Sequence, residues 1–95
     1  MTKEQIRTRI DEEYEDVLLA DGFEDALVGV VEGWQSHGRV TVVCYDYGEC
    51  VKVLMAQGMS AEEAEEYLDF NVLGAYAGKT TPVFLHDWRR VVMEE

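Results

Sequence analysis

Two cysteines and two histidines are the residues of this chain that could bind a metal ion or supply a nucleophile and its base. They are Cys44, Cys50, His37 and His86. A zinc site needs tightly spaced pairs such as Cys-x-x-Cys, whereas these cysteines stand six positions apart and the histidines are isolated. The spacing favours buried, reduced thiols, and we expect neither a metal ion nor a cofactor.

The pair His86-Asp87 has the composition of a general base with an orienting carboxylate, and a cysteine could serve as its nucleophile. Neighbours on a strand point to opposite faces, so this pair would not share a side. Asp46 and Asn71 could line a small-molecule pocket, although a helix cap and a backbone hydrogen bond explain them better. We therefore expect no enzyme. A small-molecule-binding domain or enzyme using Asp46, Asn71 or His86 remains an alternative.

Acidic residues dominate the composition. Twenty Asp and Glu stand against eight Lys and Arg, which gives a formal net charge of -12 at pH 7. Such a surface repels nucleic acid and anionic membranes and attracts basic partners. The basic residues are too few for a nucleic-acid footprint, so we expect a basic protein partner and no direct contact with DNA or RNA.

The acids form two clusters. One, at residues 11–16, lies toward the C-terminal end of a predicted helix, where the helix dipole disfavours negative charge. The other, at residues 62–69, repeats like charges at i, i+4 with no Lys or Arg nearby to offset them. Acidic residues that destabilise their own helix, with no nearby interaction to offset the cost, point to a binding surface. The predicted contact residues are Glu12, Glu13, Glu15, Asp16, Glu62, Glu65, Glu66 and Asp69.

The elements that carry these residues begin with a helix. Apolar residues at helical spacing predict it over residues 3–20, with Thr2 and Gln5 as a capping box and Gly22 as its stop. Residues 26–34 and 40–45 are rich in β-branched side chains and predict two strands.

The short connection between these strands predicts an antiparallel hairpin. Gly29 and Gly33 indicate a bulge or a close backbone approach in its first strand. An all-helical arrangement is the alternative if residues 26–34 form a helix.

Two capping signals predict two further helices. Their residue pairs, each three positions apart, are Asp46 with Glu49 and Ser60 with Glu63. We expect these helices to end at Gly58 and Gly78.

Residues 80–85, which include Pro82, are predicted as a third strand at a sheet edge. Residues 86–95 could form a short helix or a further strand. The order α-β-β-α-α-β then indicates an α+β fold. We expect a small two-layer domain over residues 1–95, with about three antiparallel strands and three helices on one face. No signal peptide or membrane span is expected, and the default location is the cytoplasm.

Four runs between residues 22 and 85 carry a resemblance to a family. They are Gly22-Phe23-Glu24-Asp25-Ala26-Leu27-Val28-Gly29, Val43-Cys44-Tyr45-Asp46-Tyr47, Gly58-Met59-Ser60-x-x-Glu63-Ala64 and Phe70-Asn71-Val72-x-Gly74-Ala75-Tyr76-x-Gly78-x-x-Thr81-Pro82-Val83-Phe84. These runs resemble small uncharacterised proteins of phages and prophages. The resemblance implies a phage-like origin and no mechanism. Acidic inhibitors of host proteins recur among small phage proteins, which favours such a role by analogy.

These observations predict a small acidic phage-type binding protein. It would inhibit a basic nucleic-acid-handling or host-defence protein without catalysis, its acidic helix faces taking the place of nucleic-acid phosphates. One alternative is a phage accessory or structural protein that self-associates, as a possible homodimer, through Trp34, Trp88 or the edge of the third strand.

Overall fold

The computed structural model describes residues 1–36, 38–73 and 78–90. It confirms an α+β fold with the predicted order of elements. The helices and strands are α1 (Lys3–Glu13), β1 (Leu27–Gln35), β2 (Gly38–Asp46), α2 (Tyr47–Ala56), α3 (Ala61–Tyr67) and β3 (Val83–Leu85). Short turns of other helix types occupy Glu24–Ala26, Leu68–Val72 and Trp88–Arg90. No helix in the described ranges has the length and apolar character to cross a membrane.

Helix α1 begins where the sequence predicts and ends seven residues early. Thr2 Oγ1 accepts the backbone N–H of Gln5 at 3.1 Å, and Gln5 Oε1 accepts that of Thr2 at 2.8 Å, which confirms the capping box. The prediction of helix up to residue 20 was wrong, because Glu13 is the last helical residue and Tyr14 is extended. The acids that accumulate there oppose the helix dipole, and no basic residue lies in the last turn.

The chain after α1 packs as an irregular segment. Val17, Leu19 and Ala20 lie half-buried against the core without helical structure. Gly22 adopts a φ of 92° in the turn that follows, so it permits this turn and does not cap a helix.

Strands β1 and β2 form the predicted antiparallel hairpin, and the all-helical alternative was wrong. The pairing register shifts between Leu27 and Gly29, which confirms a bulge at the first glycine. Val43 and Tyr45 of β2 point toward the helices and belong to the main core. Val42 and Cys44 alternate with them and are buried on the other face of the sheet.

Strand β3 pairs with β2 in parallel, so the prediction of three antiparallel strands was wrong for this strand. Helices α2 and α3 lie between β2 and β3 in the chain. They return it to the starting end of the sheet, so that β3 runs in the direction of β2. Pro82 directly precedes the strand, where its missing N–H breaks no ladder.

The helices after β2 supply much of the core. Ala64 and Leu68 are buried in the core, and Val72 packs against it, whereas Tyr67 is 41% exposed. The helix departs from α geometry at Leu68, and the Leu73 N–H donates to the Leu68 carbonyl at 2.8 Å in a π turn. The predicted continuation over residues 74–77 and the tail at residues 91–95 lie outside the described residues.

Candidate functional site

The first acidic cluster lies at the end of α1 and just beyond it. Glu12 and Glu13 are in the last helical turn, whereas Glu15 and Asp16 belong to the irregular segment. All four are exposed. Arg9 Nε donates to Glu13 Oε2 at 2.8 Å, so one of the four carboxylates is neutralised within its own helix.

The second cluster lies on α3 and the π turn. Glu62, Glu65 and Glu66 are exposed on the helix. Exposed Asp69 accepts a hydrogen bond from the Tyr47 hydroxyl at 3.2 Å. Burial raises the pKa of Tyr47, and the negative charge of Asp69 raises that pKa further because it disfavours the tyrosinate form.

The two clusters lie on different elements and have the same electrostatic character. Helix α1 packs against β1, whereas α3 packs against α2, so different neighbours position them. Of the eight predicted contact residues, only Glu13 forms an ion pair within the described part of the chain. The other seven form none with any Lys or Arg of the described ranges: Glu12, Glu15, Asp16, Glu62, Glu65, Glu66 and Asp69. Their charge is therefore available to a cationic partner.

A concave pocket of about 330 Å³ lies where β2 and β3 end and α2 begins. Because these strands are parallel, their carboxyl ends meet here, and this is where ligands bind in open α/β sheets. Asp46 and His86, two of the three residues predicted for a small-molecule site, both line the pocket. Asn71, the third, does not.

Carboxylate and aromatic groups form the walls of this pocket. Asp46 is buried and caps α2, with its Oδ1 accepting the N–H of Glu49 at 2.9 Å. The His86 ring stacks on Tyr47 with centroids 4.2 Å apart. Asp87 binds the guanidinium of Arg89 through both carboxylate oxygens at 3.0 Å.

The strand argument that separated His86 from Asp87 was wrong. Strand β3 ends at Leu85, so both residues lie beyond it and both line the pocket. Sequence analysis named Asp87 only as a partner of His86 and missed Tyr47 as part of this site. Only the parallel pairing of β3, which brings residue 86 beside the start of α2, could have indicated Tyr47.

Asn71 lines a second pocket of about 390 Å³, between the irregular segment, the π turn and the start of β3. Its walls are mostly apolar, with contributions from Leu18, Leu19, Ala20, Phe23, Val72, Pro82 and Phe84. The three residues predicted for one small-molecule site are thus divided between two pockets.

Both cysteines are free, buried thiols, as their spacing predicts. Burial raises the pKa of Cys50 to about 12, and the nearby charges of Asp46 and Glu49 add to this effect. The thiols stay protonated at neutral pH, whereas a nucleophilic cysteine needs a lowered pKa. The described ranges contain no group of three His, Cys, Asp or Glu side chains able to hold a metal ion, and His37 lies outside them.

Comparisons with protein-family models, with curated proteins and with solved structures find no match for this chain. Its function has to be inferred from the two acidic patches and the two pockets.

Proposed function

We propose that this chain is a non-enzymatic binding protein that docks onto a basic protein through its acidic patches. The observation that carries the proposal is that seven of the eight predicted contact residues are exposed carboxylates without a cationic partner in the described ranges. In a chain of net charge -12, these groups produce a strong negative potential that accelerates encounter with a cationic surface.

A nucleic-acid-handling protein is the partner class that this surface fits best. Such proteins carry clustered Lys and Arg that bind phosphates, and exposed carboxylates can occupy the same groove. The partner would then be inhibited because nucleic acid and this chain compete for one site. The resemblance to phage proteins makes a host defence or nucleic-acid-handling protein a fitting target, in the cytoplasm of the host cell.

Affinity capture from a bacterial lysate at about 50 mM and about 300 mM salt tests the proposal, because screening weakens contacts between exposed charges. The captured protein is then purified and titrated in the presence of duplex DNA. We expect it to be basic, to bind at least about tenfold more weakly at the higher salt, and to be displaced by the DNA.

A pair of charge variants locates the binding surface. Glu65→Gln with Glu66→Gln removes two unpaired carboxylates of the second patch. Glu4→Gln with Asp21→Asn removes two exposed carboxylates outside both patches and leaves the same net charge. The first variant should weaken binding and the second should not. Equal effects, or an affinity that salt does not change, would contradict the proposal.

The pocket at the ends of β2 and β3 supports a second candidate, a small-molecule-binding domain. Its position beside parallel strand ends and its stacked Tyr47–His86 wall favour this function. A fragment library screened by NMR tests it. Saturable shifts at Tyr47 and His86 that are lost in His86→Ala would support it, and their absence throughout the library would count against it.

A further inference from the structure

The outer half of the β1–β2 hairpin projects away from the core. We call residues 31–35 and 38–41 the hairpin arm. Every residue from 31 to 35 is exposed, and no residue of the arm belongs to the main core. An isolated two-stranded hairpin is at best marginally stable in water, so an arm of this kind gains from a further strand.

Strand β1 leaves a long edge open. In the described ranges it pairs with β2 alone, so the backbone groups on its other side have no strand to bond. Proteins protect such edges with proline, several charges, bulges or short strands. Strand β1 has nine residues, its bulge lies at the inner end, and Glu32 is its one charged side chain.

The arm is also the electrically neutral part of an acidic protein. Its two charges, Glu32 and Arg39, form an ion pair with a separation of 3.1 Å between Oε1 and Nη2. The remainder of the chain holds the whole net charge of -12. A basic partner is therefore drawn to the acidic patches and gains nothing at the arm. A second copy, repelled by those patches, can approach only through a neutral surface such as this one.

Trp34 gives the arm an apolar contact for such an approach. Its side chain is 81% exposed, and it lies beside Arg39 on the neighbouring strand. Tryptophan and arginine are the residues most enriched among those that dominate the free energy of protein association. Val31, on the other face of β1, is also well exposed.

We propose that the hairpin arm joins two copies of this chain by antiparallel pairing of their β1 edges. The two three-stranded sheets then form one six-stranded sheet about a twofold axis, with Trp34 of each copy buried against its partner. If the antiparallel pairing is centred on Val31 or on Gly33, Glu32 of one copy does not lie opposite Glu32 of the other. A register that placed them opposite each other would be destabilised by the repulsion of like charges.

Sedimentation of the purified chain from about 1 µM to about 500 µM tests the proposal across the range of weak dimers. We expect a concentration-dependent dimer that becomes tighter between about 20 mM and about 300 mM salt, because salt screens the repulsion between the acidic bodies. Amide hydrogen exchange at residues 31–35 should slow as the protein concentration rises. A monomer mass at the highest concentration in high salt would overturn the proposal.

Two tryptophan variants with matched exposure locate the contact. Trp34→Ser should weaken the dimer at least about tenfold, whereas Trp88→Ser, which removes a side chain that is 82% exposed elsewhere, should leave it unchanged. Val31→Lys, which adds a charge to the β1 edge, is an independent second variant and should also weaken the dimer. Circular dichroism verifies that each variant is folded. Equal loss with Trp34→Ser and Trp88→Ser, or none with Val31→Lys, would overturn the proposal.

The salt response keeps this inference distinct from the proposed function. Association through the arm strengthens with salt, whereas docking onto a basic protein weakens with salt. The Glu65→Gln, Glu66→Gln variant should strengthen the dimer slightly, because it lowers the repulsion between two copies, and should weaken docking onto the basic protein. The two proposals therefore predict opposite effects, and one can be contradicted while the other stands.

Discussion

The hydroxyl oxygen of Tyr45 accepts a hydrogen bond from the backbone N–H of Ala20 at 2.8 Å. Tyr45 is only 2% exposed, and its ring stacks on Phe84 of β3 with centroids 5.7 Å apart. One side chain of the central strand thus links the irregular segment after α1 to the parallel third strand. This contact gives the Ala20 N–H an acceptor in a segment where the helix no longer supplies one.

Tyr45→Phe removes this hydrogen bond and keeps the ring. The Ala20 N–H, half-buried, loses its partner, so we expect the free energy of unfolding to fall by about 1–2 kcal/mol. Urea denaturation measures the loss. Tyr67→Phe removes a hydroxyl from an exposed ring and should change stability by less than about 0.5 kcal/mol. Similar losses in the two variants would show that the Ala20 bond contributes little.

The caps of the helices could be predicted from the sequence because a cap is a short-range interaction. Ser60 Oγ accepts the N–H of Glu63 at 3.1 Å, and Glu63 Oε1 accepts the N–H of Ser60 at 2.9 Å, within four consecutive residues. The hairpin could be predicted for the same reason, since its strands are adjacent in the chain. No distant residue has to be known for either.

The end of α1 could not be predicted from apolar spacing. Val17 falls on the same stripe as Ile10, and this periodicity favours a longer helix. The sequence also shows that the acids at residues 11–16 interact unfavourably with the helix dipole. It does not show whether this cost outweighs the free energy gained by packing a longer helix against the core. The structure shows that the irregular segment packs Val17 against the core and avoids placing more acids against the dipole.

The direction of β3 and the pocket beside it depend on long-range packing. A strand of three residues after two helices can join either edge in either direction, and local pattern does not decide between them. Since the meeting of His86 with Tyr47 follows from that direction, the site could not be assembled from sequence.

Asp46 provides a prediction on the second helix. Asp46→Ala removes the cap of α2 and should lower the free energy of unfolding by about 1–2 kcal/mol, since the N–H of Glu49 loses its acceptor. Asp46→Asn keeps a capping oxygen and should retain most of that stability. Thermal and urea unfolding of both variants test this. If Asn destabilises as much as Ala, capping is not what Asp46 contributes.

Gly58 provides a prediction on backbone conformation. Its φ of 109° lies in the left-handed region that side chains other than glycine rarely adopt, and a Cβ there would contact nothing within 4 Å. Gly58→Ala should therefore destabilise by about 1 kcal/mol through backbone strain alone. Gly33→Ala also meets open space, in ordinary strand geometry, and should be nearly neutral. Denaturant unfolding that ranks the two variants the other way would contradict this account.

Cys50 makes the fold sensitive to alkaline pH. Its pKa is raised from 9.0 to about 12, first by burial and then by the charges of Asp46 and Glu49. Between these values the unfolded chain releases a proton that the folded chain retains. The stability from this thiol is therefore complete below about pH 9 and is lost as pH rises toward about 12, by at most about 1.4 kcal/mol per pH unit.

Denaturant unfolding of Cys50→Ala under reducing conditions tests this linkage. The variant should be less stable near neutral pH, because it leaves a small cavity in the core, yet its stability should fall less steeply above about pH 9. Cys44, Tyr45 and Tyr47 also have a raised pKa, so part of the slope should remain. Cys44→Ala is the matched control and should flatten the slope less. If Cys50→Ala keeps the parent's pH dependence, the proton released on unfolding comes from another group, and the thiol of Cys50 titrates normally in the folded chain.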